Sequence, residues 1–357
     1  MITSSRADRP QILLTGASGV LGSVVAAELA PLAEVSCLTR RRPVTVPGAT
    51  SLAGDLTLPD LGLPARTVAD LHARIDVVVH CGAMTAFTAD GTAPERVNRE
   101  GTDRILDLAA AAGARLVHVS TAFVDRVDEF TTARPEGAPT AVRSPEHYLR
   151  SKIAAEEAVR TSGLATTIVR PSVLIGDSVT GVITAFQGWH RLCAGIVSGE
   201  LPFLPADGRA LVDFVPVDLA ARAVAQIALA PEPAPGSEWW LTAGTAALTI
   251  DTTIDACLEV AGDQGLAPAR PRTLPREMVE RLVLPAFGSS APPRLLTQML
   301  EGMELMRLFG SQHCFPRRWP AELGSAGPDA DLLEAAVYAS LDYLVDTLGL
   351  GRRTEVA

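Results

Sequence analysis

Short apolar runs alternate with segments of helical periodicity along the first two-thirds of the chain. The runs are QILLT, VSCLT, DVVVH and RLVHVS, and between the first two Leu21, Val25 and Leu29 recur on one helical stripe. Apolar runs of this length, separated by helices, are typical of parallel strands that are buried on both faces. We therefore predict an α/β fold, a doubly wound parallel sheet with helices on both faces.

Later segments extend this pattern and then interrupt it. TTIVRP and VDFVPV are predicted to add strands to the same sheet, with a helix over 217–229 packing back on it. Further helices are predicted over 98–112, 249–261 and 332–348. Pro/Gly-rich loops mixed with helical runs break the alternation and indicate a smaller subdomain at the carboxyl ends of the strands. The predicted division is a disordered N-terminus at 1–10, a nucleotide-binding domain at 11–175 and 211–245, and a C-terminal substrate-binding subdomain at 176–210 and 246–357.

A glycine-rich string, TGASGVLG, follows the first predicted strand and opens the next helix. Glycine lets the backbone turn tightly and approach a pyrophosphate, whose charge is met by the helix N-terminus. In this context the string predicts a dinucleotide site and a Rossmann fold, and an ordinary strand-to-helix turn is the alternative. The predicted cofactor contacts in this string are Gly16, Ser18, Gly19, Val20, Leu21 and Gly22.

Three arginines follow the second predicted strand, in CLTRRRP, where such folds place the adenosine ribose. Arg40, with Arg41 or Arg42, favours a 2′-phosphate, so NADPH is predicted rather than NADH. A solvated basic loop is the alternative interpretation of these arginines. Asp55 in AGDLT is suited to accept a hydrogen bond from the adenine amino group, and Leu56 beside it is included in the predicted site. A turn or helix-cap aspartate is the alternative for Asp55.

Charge and composition exclude several other classes of protein. The net charge of −10 over 357 residues argues against nucleic-acid binding, which needs a basic face. MITSSRADRP has no signal-peptide hydrophobic region, and no stretch has the roughly 20 apolar residues of a membrane span. A soluble, cytoplasmic protein is expected. The five cysteines have no metal-ligand spacing, so neither a metal site nor a disulfide framework is predicted.

A tyrosine and a lysine, Tyr148 and Lys152, stand four residues apart in the helical pattern HYLRSKIAAEEAV and so share one face. A neighbouring ammonium stabilises phenolate, which predicts a lowered pKa for Tyr148 and a proton-relay pair for hydride transfer. An amphipathic surface helix is the alternative. The pair follows, by about thirty residues, a strand whose C-terminal end supplies Ser120 and Thr121.

Five strings in this order, TGASGVLG, HCGA, HVSTAFV, YLRSK and VRPSVLIG, resemble the extended short-chain dehydrogenase/reductase superfamily over roughly residues 9–245. The resemblance implies an NAD(P)H-dependent oxidoreductase in which Thr121 completes a catalytic triad with Tyr148 and Lys152. Thr121 would hydrogen-bond the substrate carbonyl oxygen, with Ser120 as the second candidate. A strand-end residue that satisfies backbone groups is the alternative for Thr121.

Further cofactor residues are implied only by this resemblance. Cys81 is not expected to be a nucleophile, because hydride transfer needs none. Asn98 in this superfamily more often orders the fold and a relay water than it touches substrate, and Pro171 has an alternative as a plain strand-to-loop proline. The implied residues are Cys81, Gly82, Ala83, Asn98, Tyr148, Lys152, Pro171, Ser172 and Val173.

Two strings, HVSTAFV and VDFVPVD, are similar to the thioester reductase and fatty acyl-CoA reductase branch, the male-sterility type of NAD-binding domain. Sugar-nucleotide epimerases usually carry a tyrosine-glycine pair where this chain has Val124, Asp125 and Arg126. The resemblance implies reduction of an acyl thioester, bound to coenzyme A or a carrier protein, to an aldehyde, with a second hydride giving an alcohol.

Other functions and partners stay open at this point. The alternatives are a ketone or alcohol oxidoreductase, a nucleotide-sugar epimerase- or dehydratase-like enzyme, and a non-catalytic NADPH-binding protein. An acyl carrier protein is a candidate partner, and a monomer or a homodimer is expected.

Four residues and one helical segment outside these motifs carry weaker hypotheses. The segment LLTQMLEGMELMRLFG either walls an acyl pocket or forms a core helix. Trp189 and His190 are candidate substrate contacts, with a structural role as the alternative. Asp213 and Asp218 are expected to order loops or to cap the following helix.

Overall fold

The computed structural model of the chain describes residues 9–88, 90–130, 142–231, 236–288 and 293–351. The strands in these ranges are β1 (Gln11–Thr15), β2 (Glu34–Thr39), β3 (Ala49–Ala53), β4 (Val77–His80), β5 (Arg115–Val119), β6 (Thr166–Pro171), β7 (Val173–Ile175), β8 (Phe203–Leu204), β9 (Leu211–Val212), β10 (Phe214–Pro216), β11 (Ser237–Leu241), β12 (Leu248–Thr249) and β13 (Arg272–Thr273).

Helices connect and cover these strands. The α-helices are α1 (Val20–Leu29), α2 (Ala65–Arg74), α3 (Thr92–Pro94), α4 (Glu100–Ala112), α5 (Val127–Phe130), α6 (Glu146–Thr161), α7 (Gly188–Val197), α8 (Val217–Leu229), α9 (Ile250–Asp263), α10 (Arg276–Met278), α11 (Leu284–Gly288), α12 (Pro293–Phe309) and α13 (Ala330–Leu348). Single turns of π-helix occur at Glu95–Arg99 and Val279–Val283. Short 3₁₀ segments lie at Pro59–Gly62, Ala122–Arg126, Gly244–Ala246 and Ala321–Leu323.

Seven parallel strands form the central sheet in the order β11-β6-β5-β4-β1-β2-β3. β1 lies between β2 and β4, so the strand order reverses there. Open sheets bind their ligands in the crevice at such a reversal, outside the carboxyl ends of the strands. The predicted doubly wound fold with helices on both faces is confirmed, and the crevice beside β1 is where a nucleotide site is expected.

One predicted strand of the sheet is wrong. VDFVPV was expected to extend the sheet, but β10 from this segment pairs with β7 in a separate two-stranded unit. The chain leaves the central sheet after Pro171, where the Ser172 amide donates to the Leu241 carbonyl. The next strand, β7, therefore lies outside the sheet, and β10 pairs with it there. The place beside β6 is taken by β11, whose sequence SEWWL lies next to a Pro/Gly-rich stretch and was not predicted as a strand.

Three apolar clusters form the core. One packs α1 and α8 on one face of the sheet, and a second packs α2 and α4 on the other. The third joins α7, α9, α12 and α13 to β7 and β10 beyond the strand ends. Met306, Leu308 and Phe309 of α12 are buried in that third cluster, which supports the core-helix interpretation of LLTQMLEGMELMRLFG rather than an open acyl pocket.

The predicted helices agree with the structure. α8, α9 and α13 begin and end within two residues of their predicted bounds, and α4 covers 100–112 of the helix predicted over 98–112. The division into two domains stays a prediction, to which the mutual packing of α7, α9 and α13 adds support. The predicted disorder at 1–10 falls largely on residues 1–8, which lie outside the described residues.

Two aspartates order loops as expected. The Asp213 carboxylate accepts hydrogen bonds from the amides of Ala243 at 2.8 Å and Gly244 at 2.9 Å. The Asp218 carboxylate accepts from the amide and the hydroxyl of Ser178, both at 2.8 Å. These bonds fix the turn after β11 and the turn after β7 at the same end of the molecule.

A buried ion pair attaches α6 to the sheet. The Arg170 guanidinium on β6 donates two hydrogen bonds, at 2.8 and 2.7 Å, to the two carboxylate oxygens of Glu156 on α6. Glu238 of β11 lies 2.7 Å from the same guanidinium. A bidentate pair of this kind fixes orientation as well as distance. It therefore sets how α6 lies against β6.

Among the described residues, no helix is long and apolar enough to cross a membrane.

Candidate active site

The glycine-rich string folds into a tight turn at the carboxyl end of β1. Gly16 has a φ of +73°, and its carbonyl accepts from the Gly19 amide at 2.8 Å. A Cβ on Gly16 would lie 2.6 Å from the backbone of Cys81 and Gly82, and one on Gly22 would lie 2.2 Å from the Gly16 carbonyl oxygen. Each of these positions therefore requires glycine.

The N-terminus of α1 is open toward this turn. No side chain of the described residues caps it, so the first amides of the helix are free to bind an anion. A tight glycine turn beneath a free helix N-terminus fits the pyrophosphate of a dinucleotide. Ser18, Val20 and Leu21 of the predicted contacts lie on the turn and on the first residues of this helix.

The arginines after β2 lie on the surface next to Asp55. The Arg40 side chain is half exposed, and its Nη1 lies 3.9 Å from Asp55 Oδ2. The other carboxylate oxygen of Asp55 accepts from the amide and hydroxyl of Thr57, both at 2.8 Å. Burial opposes ionisation, but these bonds and the charges of Arg40 and Arg96 outweigh it and lower the pKa of Asp55. Arg41 is exposed beside Arg40, so two cations flank this edge of the crevice.

The loop after β4 is held in place by Asn98. Asn98 Oδ1 accepts from the Met84 amide at 2.7 Å, while Nδ2 donates to the Met84 carbonyl at 3.0 Å and to Ser151 Oγ at 2.9 Å. Asn98 is buried, so its geometry favours ordering the fold over touching a cofactor. Burial raises the pKa of Cys81 to about 12, which agrees with its expected lack of nucleophilic function. Gly82 and Ala83 lie in the same loop.

Thr121 and Tyr148 are brought together by β5 and α6. Thr121 follows β5, its hydroxyl accepts from the Phe123 amide at 3.4 Å, and it lies near enough to the Tyr148 phenol to lower the pKa of that phenol. Both residues are buried, and the half-buried Phe87 ring lies 6.3 Å from the Tyr148 ring. Two buried hydroxyls thus lie close together, and a carbonyl oxygen held in a reductase site needs donors of this kind.

The expected direction of the Tyr148 pKa is wrong for the structure as it stands. Burial raises the pKa of Tyr148 to about 12, and the neighbouring Thr121 hydroxyl only partly opposes it. The Lys152 ammonium, which was expected to lower that pKa, donates instead to the Val119 carbonyl at 2.8 Å. Loss of water around the phenol therefore outweighs any stabilisation of the phenolate by the Lys152 charge, and the pKa rises.

The hydroxyls of Ser120 and Ser172 are buried near carboxylates and have no hydrogen-bond partner among the described residues. The Ser120 hydroxyl lies beside Glu156, and its contact helps to lower the pKa of that carboxyl against the effect of burial. Ser172 acts likewise on Asp213, but there burial prevails and the pKa of Asp213 is raised. Thr121 is therefore better placed than Ser120 to complete a triad. Pro171 and Val173 are buried on either side of Ser172, and Val173 belongs to the same apolar cluster as Tyr148.

Sequence prediction missed the surroundings of Lys152. His118 Nε2 lies 3.4 Å from Lys152 Nζ, and Glu156 lies one helical turn beyond it on α6. The available signal was a polar residue within an otherwise apolar strand, RLVHV, which is unusual for a strand buried on both faces.

His190 and Trp189 have structural roles. The Gln187 amide donates to His190 Nδ1 at 3.3 Å as part of a helix cap, and the Trp189 ring packs against Phe214 at 4.9 Å. In the part of the chain that the structure describes, no group of three or more His, Cys, Asp or Glu side chains could hold a metal ion.

Residues 39–224, just over half of the chain, match the model of an NAD-binding family described as male sterility protein. The chain belongs to this family. Membership confirms the predicted class, a nicotinamide-dependent oxidoreductase of the short-chain dehydrogenase/reductase type.

Curated relatives share about 30% of their residues with the chain. A linear gramicidin synthase of Brevibacillus parabrevis is 32% identical over 248 residues, covering 61% of this chain and 5% of that protein. Ceramide reductase of Caulobacter vibrioides is 32% identical over 221 residues, 61% of each chain. Fatty acyl-CoA reductase wat of Drosophila melanogaster is 29% identical over 208 residues, 49% of this chain and 40% of that one. The matches thus span less than two thirds of each of these relatives.

A solved structure with the same architecture is the terminal R domain from the myxalamid PKS-NRPS biosynthetic pathway. It superposes with a TM-score of 0.70 and 24% identity, covering 96% of this chain and 91% of that one. The likeness confirms the fold over nearly the whole chain, including the C-terminal third for which no motif was found.

Gly16→Ala tests the glycine turn. We expect cofactor binding to weaken by at least about tenfold and stability to fall, because the new Cβ meets backbone at 2.6 Å and the φ is positive. Gly262→Ala is the matched control, since Gly262 lies in α9 away from the turn, its φ is not positive, and an added Cβ there meets nothing within 4 Å. Fluorescence titration with NADPH and thermal unfolding measure both effects. Equal effects of the two substitutions would contradict the assigned geometry.

Proposed function

We propose that the protein reduces an acyl thioester, carried on coenzyme A or a carrier protein, to an aldehyde at the expense of NADPH. The observation that carries this proposal is the buried pair of neighbouring hydroxyls, Thr121 just after β5 and Tyr148 on α6. That pair can hold a carbonyl oxygen, and the family membership supplies the nicotinamide chemistry.

The bound dinucleotide would supply a hydride to the carbonyl carbon of the thioester. Thr121 and Tyr148 would donate hydrogen bonds to the carbonyl oxygen as negative charge develops on it. When that oxygen re-forms its double bond, the carbon–sulfur bond breaks, and the thiolate leaves and takes a proton from solvent. The products are one aldehyde and one thiol for each hydride consumed.

The protonation states in the site suit this role. Because the pKa of Tyr148 is raised to about 12, the phenol keeps its proton at neutral pH and remains a donor. Burial lowers the pKa of Lys152 to about 8, while Glu156 opposes that change, so the ammonium persists below that pH. Lys152 is proposed to contact the nicotinamide ribose and to support Tyr148.

The thioester is supported by sequence similarity, first of short strings and then of longer segments. The strings HVSTAFV and VDFVPVD resemble the thioester and fatty acyl-CoA reductase branch, and one relative carries the name fatty acyl-CoA reductase. Relatives also include the linear gramicidin synthase, a much longer protein of which the match covers 5%. A carrier-bound acyl group is therefore a candidate substrate, and an acyl carrier protein is a candidate partner.

A ketone or aldehyde is the second candidate substrate. The same Thr121–Tyr148 pair would serve it, and one relative carries the name ceramide reductase, which names no thioester. The two candidates differ in one product, because only thioester reduction releases a thiol.

Tyr148→Phe tests the proposed chemistry. We expect acyl-CoA- or acyl-carrier-dependent NADPH oxidation, with thiol release, to fall by about 10²–10³-fold because a hydrogen-bond donor to the developing oxyanion is lost. NADPH binding should be retained. Tyr343→Phe is the matched control, since Tyr343 packs against Phe186 through α13. Thiol is measured with a chromogenic disulfide, and products are measured by mass. NADPH oxidation without thiol would refute the thioester, and full activity of Tyr148→Phe would refute the site.

Arg40→Ser tests the choice of cofactor. Arg40 is half exposed at the edge of the crevice and would pair with the 2′-phosphate, together with Arg41. We expect NADPH affinity to fall by roughly tenfold while NADH affinity is unchanged. Arg74→Ser, on the far part of α2, is the control. Dissociation constants for NADPH and NADH are measured by nucleotide fluorescence. Equal losses of affinity for both nucleotides would contradict a 2′-phosphate contact.

A further inference from the structure

The amine of Lys152 lies in a buried polar pocket between α6 and β5. Its Nζ donates to the Val119 carbonyl at 2.8 Å and lies 3.4 Å from His118 Nε2. Both side chains are almost completely buried. An ammonium has only donors, so a hydrogen bond to His118 requires a lone pair on Nε2 and places the histidine proton on Nδ1.

The neighbouring histidine, His80, has the opposite tautomer. The Gly82 amide donates to Thr15 Oγ1 at 3.0 Å, so the Thr15 hydroxyl is free to donate to His80 Nδ1 at 2.7 Å. The Thr102 hydroxyl donates to the Asn98 carbonyl at 2.6 Å and therefore accepts from His80 Nε2 at 3.2 Å. Both nitrogens of His80 are thus satisfied by hydroxyl groups, and its proton is on Nε2.

His118 differs from His80 in leaving a donor unsatisfied. Its Nδ1 is buried and has no hydrogen-bond partner among the described residues. An unsatisfied buried donor costs free energy and is rare in folded proteins. An apolar side chain at this position of β5 would avoid that cost. The feature that offsets it is the contact of Nε2 with Lys152.

We propose that His118 is a positioning residue for Lys152, which accepts a hydrogen bond from its ammonium and keeps it charged and oriented. With the Val119 carbonyl, His118 would engage two of the three N–H groups and leave the third for the cofactor side of the pocket. This inference rests on the role proposed above for Lys152.

The groups around Lys152 agree with this role. Glu156 acts on it from α6, His118 from β5, and His80 and Cys81 from β4 and the loop after it, and Arg170 of β6 acts on His118. Burial and the charges of Lys152 and Arg170 lower the pKa of His118 well below its usual range, so it stays a neutral acceptor. Without that acceptor, the Lys152 ammonium would have one hydrogen bond fewer to offset the free energy cost of its removal from water.

The first test uses the unaltered protein without substrate. Nitrogen-15 chemical shifts of the histidine rings distinguish the two tautomers, and His118→Gln and His80→Gln assign the two signals among those of the six histidines. We expect His118 to carry its ring proton on Nδ1 and His80 to carry its ring proton on Nε2. A proton on Nε2 of His118 would overturn the proposal, whether or not the protein reduces thioesters.

The second test compares His118→Leu with His118→Gln, whose amide oxygen can accept from Lys152. Loss of the acceptor lowers the pKa of the ammonium, so the loss of NADPH affinity on raising the pH should begin about one pH unit lower in the leucine variant. The glutamine variant should return the profile toward wild type. The exposed His313→Leu is the matched control.

Nucleotide fluorescence across pH measures this profile without a substrate, and thermal unfolding checks the fold. An unchanged profile in both variants would overturn the proposal. Equal loss of binding in both, with lowered melting temperatures and no shift of the profile, would assign a structural role instead. If the leucine variant does not fold, His118→Asn, whose amide falls short of Lys152, replaces it.

Discussion

A charged amine buried at the end of a parallel sheet is the constraint on which the site depends. Lys152 is almost fully removed from water, and taking an ammonium out of water is costly unless it is paired and hydrogen-bonded. The Val119 carbonyl, His118 and the nearby Glu156 offset that cost. Glu156 is itself held by Arg170 on β6. α6 therefore cannot rotate or slide without exposing a charge to an apolar environment.

The placement of Tyr148 follows from this anchoring. Tyr148 lies one helical turn before Lys152, so the contacts of Lys152 with β5 bring the phenol to Thr121 at the end of that strand. A chain of hydrogen bonds then links this region to the nucleotide side. It runs from the Gly82 amide through Thr15, His80 and Thr102 to the backbone of the turn that holds Asn98. Asn98 Nδ2 then donates to Ser151 Oγ, which donates to the Tyr148 carbonyl, so Thr15 at the end of β1 and the Tyr148 helix belong to one hydrogen-bond network.

The sequence was most informative where one local rule governs the outcome. Buried parallel strands and amphipathic helices have distinct periods, so β1, β2, β4, β5, β6 and α8 could be predicted closely. The glycine turn was predictable because steric exclusion permits one residue type, and the Tyr148–Lys152 face because a helix fixes the spacing.

Predictions that depended on pairing across the fold were less successful. Nothing local distinguishes β10 from a strand of the sheet, because its place depends on the chain turning away at Ser172. The SEWWL strand lacks clear alternation and is recognisable only by its pairing with β6. To predict that the pKa of Tyr148 is raised, one must know how deeply the phenol is buried and that Lys152 donates to the Val119 carbonyl. His118 was visible as a polar residue in an apolar strand, but its partner lies 34 residues away.

The most direct measurement is the fate of the transferred hydride. A single turnover with NADPH deuterated at C4, in the stereochemical position that transfers, and a short acyl-CoA or acyl-carrier thioester gives a product whose carbonyl carbon can be examined by mass spectrometry and NMR. The account predicts an aldehyde with one deuterium on C1 and one equivalent of free thiol. An alcohol formed by a second transfer would carry two. Oxidised cofactor with the thioester intact, or an aldehyde without the label, would contradict it.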